Sequence, residues 1–557
     1  MWKFSELEYK RPDMAAFKRR MRKLLKVFDS AETYEQQRAA YLEIEKHMSA
    51  LESTITLSTI RYHMNSKDEF YAKEREFWDE ATPKLLPLQK QMLKSVVNMR
   101  FKKEAEAEFG KSLFDRAEVQ LKLADTRLIP DMIADAKLKS AYNKLISSCS
   151  TELDGQKLNF YGLLKRMEST DRAERKAAFE KWADLYESAS GGLDGIYDKM
   201  IKARVRMARK LGMDFTHFAY LDRGRLDYTP DDVAKFREGI RKYVVPACAK
   251  LYEKQRERIG VDKLHWYDEK LFYPDGNPAP IGGEEYLVSA ASEMYHELSP
   301  ETGEFFDFMC EHQLFDLVTR DNKRMGGYCT SLPDKLAPFI FSNFNGTSAD
   351  VDVLTHEAGH AFQAYLGMRT IPILEQVQAP MEICEVHSMS MEHFTYPWME
   401  KFFGESWQKR NYAHLSDALM SIPYLVAVDE FQHGIYANPD MKRDERYKLW
   451  HDIEKTYMPW RDWDGNAFLE KGGFWMQKLH IFLYPFYYIE YALAQTCAFC
   501  FYLKMQENRE QAWSDYLALC KAGGTLGYKE LLGVGKLMDP FDPETLRIIT
   551  DSIMKQL

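Results

Sequence analysis

The segment 350–366 reads D-V-D-V-L-T-H-E-A-G-H-A-F-Q-A-Y-L. On a helix, residues four apart are neighbours, so His356 and His360 share one face. Two imidazoles so placed can occupy two of the four tetrahedral positions of a Zn²⁺ ion. Glu357, directly after the first histidine, then lies beside the metal. There it can take a proton from a water on the ion, the chemistry that H-E-x-x-H spacing serves. The other reading of the pentapeptide alone is a solvated helix face carrying two histidines.

A catalytic zinc takes a third protein ligand and keeps one position open. The stretch 378–394, Q-A-P-M-E-I-C-E-V-H-S-M-S-M-E-H-F, offers candidates. Pro380 suits a helix start. Glu382, Glu385, Ser388 and Glu392 then fall on one broad face, with Met381, Val386 and Met391 largely elsewhere. Burying unpaired carboxylates is costly, and a metal with its histidines would supply the missing charge. Spacing alone leaves Glu382 and Glu385 both open as the ligand.

Further along, 480–491 reads H-I-F-L-Y-P-F-Y-Y-I-E-Y. On one helix His480, Tyr484, Tyr487 and Tyr491 share a narrow face with Tyr488 at its edge, and Pro485 introduces a kink. Such groups can donate hydrogen bonds to a developing oxyanion. An aromatic core stripe is the plainer reading. Upstream, 338–344 (P-F-I-F-S-N-F) has strand-like content and ends in the turn signal Asn345-Gly346. An extended peptide could pair with its edge around Phe341. Gly326, Gly327 and Gly346 leave room for that approach.

The helix over 350–366 has Thr347 or Ser348 as its cap and Asp350 and Asp352 at its positive end. Val351, Leu354, Ala358, Ala361, Phe362 and Tyr365 form its apolar stripe, and Gly367 is placed to stop it. Gly359 keeps the space between the histidines open. Helical spacing also marks 14–29, 33–63, 67–109 and 171–185, and from Thr347 onward the chain reads helical almost to its end. Loops fall near 403–406, 437–441, 462–466 and 522–527. The 266–285 stretch, rich in Pro, Gly and Asp, is a loop. The class expected is mostly α with a small β-sheet beside the H-E-x-x-H helix.

The chain has 557 residues, too many for one compact core. Its formal net charge of −9 argues against a nucleic-acid partner, which calls for a basic patch. No segment approaches the apolar length of a membrane helix, and the N-terminus has no apolar leader, so no membrane role is expected. Eight scattered cysteines form no disulfide framework, which points to a reducing cytoplasm. Cys497-Ala498-Phe499-Cys500 lies in an apolar helical run and reads as two core thiols.

Taken together, these motifs resemble the thimet-oligopeptidase/oligoendopeptidase F family of zinc metallopeptidases. The closest likeness is to the oligoendopeptidase F and Pz-peptidase group. The stretches that carry it are A-P-F-I-F-S-N-F-N-G-T, L-T-H-E-A-G-H-A-F, E-I-C-E-V-H-S-M-S-M-E-H-F, V-D-E-F-Q-H-G-I-Y-A-N-P and P-F-Y-Y-I-E-Y-A-L-A-Q, between about 326 and 500. The resemblance implies two helical lobes around a deep substrate channel, of gluzincin type. An N-terminal lobe would cover 1–200 and the catalytic region 201–557. It makes Glu385, 25 residues after His360, the third ligand to one zinc per chain, with Asp352 orienting His356. Glu357 would be the general base. Tyr491 would be the oxyanion donor, a role that Tyr488-Ile489-Glu490-Tyr491 supports through its likeness to the Y-I-x-Y element of the angiotensin-converting-enzyme group. His480 would assist at the transition state, and Tyr488, Phe341 and Gly327 would contact substrate. The expected activity is a hydrolase cutting internal bonds of short unfolded peptides. The alternatives are a zinc carboxypeptidase of similar fold and a catalytically silent peptide-binding protein. Oligomeric state is not legible.

Overall fold

The computed structural model describes residues 2–557. It is 72% helix and 4% strand, which settles the class as mostly α. Five short strands are present among the described residues: β1 (Thr151–Leu153), β2 (Gln156–Leu158), β3 (Phe315–Val318), β4 (Tyr328–Leu332) and β5 (Ala337–Phe344). The first two form a hairpin. The other three form a sheet in the order β3-β5-β4, with β3 parallel and β4 antiparallel to β5.

The helices expected over 14–29 and 33–63 run from Met14 to Asp29 and from Tyr34 to Met64. The expected 67–109 helix is instead divided into Glu69–Ala81, Leu86–Val97 and Lys102–Phe109. Pro83 and Pro87 lack the N–H that a continuous helix needs and so sit at starts rather than in interiors. The 171–185 stretch extends to the 39-residue helix Arg172–Lys210. A division at residue 200 therefore falls inside one helix. A separate small core draws on Met21 through Phe114 together with Ile373 from the C-terminal half. The principal core runs from Phe4 to Ile553 and includes the sheet.

Strand β5 leads through Asn345–Ser348 into the helix Ala349–Thr370, which carries both motif histidines. Ser348 makes no side-chain cap. The Asp350 carboxylate instead accepts the backbone N–H groups of Asn345 and Gly346, fixing the strand-to-helix turn. The apolar stripe Val351, Leu354, Ala358, Ala361, Phe362 and Tyr365 is buried as its spacing predicts. Gly367 does not end the helix. A Cβ there would come within 3.2 Å of Val377, so the glycine serves close packing. Gly359 likewise faces the second motif helix, Met381–Phe394, rather than the space between the histidines. A Cβ at 359 would lie 2.7 Å from the His387 carbonyl oxygen and the Ser388 Cα. The two helices cross at that point because position 359 has no side chain.

The 480–491 stretch is not one helix. A short helix Leu479–Leu483 ends at Tyr484, Phe486 adopts φ +60°, and a new helix runs Tyr488–Glu507. The Gln432 side chain accepts the Phe486 N–H, and the Arg225 guanidinium donates to the Phe486 carbonyl at 2.5 Å. These two bonds hold an otherwise unfavourable left-handed turn.

Candidate metal centre

His356, His360 and Glu385 converge. Each offers one ligand atom, and those atoms all lie within 4.8 Å of one another. Glu385 Oε2 is 3.3 Å from His356 Nε2 and 3.4 Å from His360 Nε2. Two donors each about 2.0–2.1 Å from a tetrahedral zinc stand about 3.3–3.4 Å apart. The donor set thus fits Zn²⁺ in chemistry and in spacing. Glu382 is not part of it. One turn earlier on the helix, its carboxylate accepts from the Tyr228 hydroxyl and lies 3.7 Å from Arg225 Nε.

The Glu385 carboxylate is held on its other edge as well. Tyr487 donates its hydroxyl to Oε1 at 2.5 Å, and Ser388 donates to Oε2 at 3.1 Å. Burial pushes this carboxyl up. The His360 charge and the hydrogen bonds from both histidines outweigh burial and hold it well below the usual carboxylate range.

His356 is oriented by Glu392, not by Asp352. His356 Nδ1 bonds Glu392 Oε1 at 2.6 Å, the second Glu392 oxygen bonds His414 Nε2 at 2.8 Å, and His414 Nδ1 pairs with the Tyr396 hydroxyl at 2.6 Å. Fixing Nδ1 in this way leaves Nε2 free to ligate. Asp352 shares the helix face but is taken by the buried Arg410.

Glu357 is buried, yet its Oε2 has no hydrogen-bond partner. Burial raises the pKa of its carboxyl. Gly327 sits beside it: a Cβ at 327 would be 3.5 Å from Glu357 Oε1. An unpaired carboxylate oxygen in this position is free to accept a proton.

Around this centre stand the aromatic groups of 480–491. The His480 ring lies 4.7 Å from Tyr488, 6.1 Å from Tyr491 and stacks on Tyr487 at 5.7 Å. His480 Nδ1 is buried without a partner, and burial, with the Lys478 charge, pushes the imidazole down to about 3. Burial raises the Tyr491 phenol, so it stays a donor. Tyr487 hydrogen-bonds the candidate ligand Glu385, which none of His480, Tyr488 and Tyr491 does.

The sheet corrects two expectations. Strand β5 is central and paired on both sides, so no peptide can pair with its edge. Phe341 is fully buried, stacked on Tyr328 with ring centroids 4.9 Å apart, and is a core residue. The open edge nearest the site belongs to β4, which follows Gly327 directly. His387 and His393 are buried in the core, and His433 sits between Tyr220 and Asp429.

Glu392 was legible as a face-mate of Glu385, seven residues on, but its partner His414 lies on a distant helix with no local signal. No helix among the described residues is long and apolar enough to cross a membrane.

The chain is similar to known peptidases over most of its length. Residues 4–124 match the Peptidase M3 N-terminal domain, and 289–546 match Peptidase family M3. The solved structure of PZ peptidase A with an inhibitor is 43% identical, with a TM-score of 0.96, covering 100% of this chain and 99% of that one. The oligoendopeptidase F homolog of Borreliella burgdorferi is 21% identical over 64% of this chain, and the chromosomal oligoendopeptidase F of Lactococcus lactis subsp. cremoris is 22% identical over 66%. Each of those two matches spans 60% of the relative's own length.

Proposed function

The chain belongs to peptidase family M3, and on that premise we propose that it is a zinc-dependent endopeptidase hydrolysing internal bonds of short, unfolded peptides. One observation carries the metal reading. Glu357, Glu385 and Glu392 are three buried or half-buried carboxylates at one site, and among the described residues no Lys or Arg pairs with any of them. A divalent cation held by His356, His360 and Glu385 supplies the missing charge.

Zn²⁺ in such a donor set supplies Lewis acidity, polarising a carbonyl and acidifying water. Glu357 is placed to take the proton of the attacking water on its free Oε2 and return it to the leaving amine. Glu392, backed by His414, fixes the tautomer of His356. Tyr491 and neutral His480 donate to the developing oxyanion, and Tyr488 contacts the peptide beside them. Tyr487 holds Glu385 in its ligating orientation. A bound peptide would add to the β4 edge, with Gly327 leaving room for its backbone. The two lobes implied by the family would form a channel that admits short chains only. The N-terminal lobe and the catalytic region would meet at the helix Arg172–Lys210, which spans the expected boundary at residue 200. Eight free cysteines fit a cytoplasmic setting.

Internally quenched peptides of mixed sequence, with products mapped by mass spectrometry, test this reading. Internal cuts are expected. Stepwise release of single C-terminal residues would replace it with the carboxypeptidase reading, and intact peptide bound without turnover would replace it with a binding protein.

A further inference from the structure

Lys478 stands just before the short helix Leu479–Leu483, two residues ahead of His480. Its ammonium lies 4.9 Å from the centroid of the Tyr488 ring and 5.4 Å from that of Tyr424. Among the described residues it has no carboxylate within 4.0 Å and makes no hydrogen bond. Two other enclosed lysines differ. Lys323 pairs with Asp316 at 3.0 Å and Lys504 with Asp515 at 2.7 Å. Aromatic faces offset only part of the desolvation of an ammonium. Lys478 is therefore a half-buried cation that lacks the anion those two have.

The surroundings are polar in a directed way. The Gln477 side-chain amide bonds the Tyr424 hydroxyl, and the Tyr424 and Tyr488 rings meet edge to face, 6.0 Å apart. His480 presents its unpartnered Nδ1 beside Tyr488. His480 in turn stacks on Tyr487, whose hydroxyl reaches Glu385. The cation thus stands one aromatic layer away from the metal ligands, on the wall that the oxyanion donors occupy.

We infer that Lys478, with Gln477 and Tyr424 behind it, anchors a carboxylate of the bound peptide, either its C-terminus or an acidic side chain near the cut bond. This rests on the reading of the chain as a peptidase. A carboxylate is planar, carries one full charge and accepts several hydrogen bonds, which matches an ammonium flanked by amide and phenol groups.

The test compares two matched peptide pairs: free C-terminus against C-terminal amide, and Glu against Gln beside the cleaved bond. Turnover is measured for wild type, Lys478→Met and Lys478→Arg. Binding of fluorescein-labelled versions of the same peptides is measured in a Glu357→Gln background. In one pair the wild type should favour the acid by about tenfold or more, the worth of a charge-assisted hydrogen bond. Lys478→Met should bring that ratio to within about twofold of unity, and Lys478→Arg should keep most of it. Whichever pair shows the effect identifies the carboxylate. A wild type indifferent to both pairs, or a preference that survives Lys478→Met, overturns the anchor. Acid-selective binding lost in Lys478→Met but without turnover in the wild type would keep the anchor and remove the peptidase reading.

Discussion

The helix Met381–Phe394 divides two buried charge clusters that are built in opposite ways. Around Glu382 and Glu490 stand Arg223 and Arg225. Arg223 pairs with Glu490, Arg225 pairs with Glu490 at 2.9 Å, and Tyr228 donates to Glu382. Two carboxylates meet two guanidiniums, so this cluster is complete as the chain folds. Around Glu385, one turn along, stand Glu357 and Glu392, and among the described residues the ion-pair partners of Glu385 and Glu392 are all imidazoles. In the proposed function a cation from outside completes that cluster. On that reading the same residue type on the same helix would be structural at 382 and functional at 385, and the difference lies in what the neighbouring segments bring. Glu45 is a third case. It is buried with a single backbone N–H, that of Leu374, as its partner at 2.8 Å, and burial pushes its pKa up to about 7.

Substitutions that remove one charge from each cluster should separate the three cases. Glu385→Gln should abolish metal retention and peptide cleavage together. Arg225→Met should do the reverse, destabilising the fold by about 3–5 kcal/mol in chemical denaturation because Glu382 loses its guanidinium partner and Glu490 one of its two. A zinc site that survived Glu385→Gln, or an unperturbed fold in Arg225→Met, would erase the distinction.

Glu392→Gln sharpens the comparison within the metal cluster. It keeps the ligands but weakens the bond that fixes His356, and should cost about 10–100-fold in zinc affinity, read by competition with a chelator. Asp352→Asn should leave zinc affinity close to that of wild type, because Asp352 bonds Arg410 instead.

The smallest effect belongs to Glu45. Its folded pKa lies above the unfolded value of about 4.3, so the folded state holds the proton more tightly between about pH 4.3 and about 7. Its stabilising contribution is full below that window and is lost as pH rises through it. Glu45→Gln should therefore match wild type in melting near pH 4.5. At pH 8 it should exceed wild type by about 1–3 kcal/mol. Equal pH profiles for the two proteins would contradict this assignment.

The sequence made the centre legible where a short-range period carries it. His356, Glu357 and His360 lie within one turn of each other, and the buried stripe of the same helix follows the 3.6-residue repeat. What escaped was set by long-range packing. Whether Asp352 or Glu392 bonds His356 depends on Arg410 and His414, from a helix some 50 residues downstream of the motif. Likewise β5 reads as a strand from its composition, but its central place comes from β3, paired with it across the loop. The 480–491 stretch has helical spacing, and the break at Phe486 is held by Arg225 and Gln432, neither of which is local. Gly359 was visible as a glycine, and only the crossing helix shows what it admits.

The most direct test measures zinc content and cleavage of an internally quenched peptide on the same preparations of wild type and Glu357→Gln. One zinc per chain is expected in both, with turnover reduced about 10²–10⁴-fold in the variant, the range for loss of a general acid–base. Wild-type protein that turns over peptide without stoichiometric metal, or a Glu357→Gln protein as active as wild type, would contradict it.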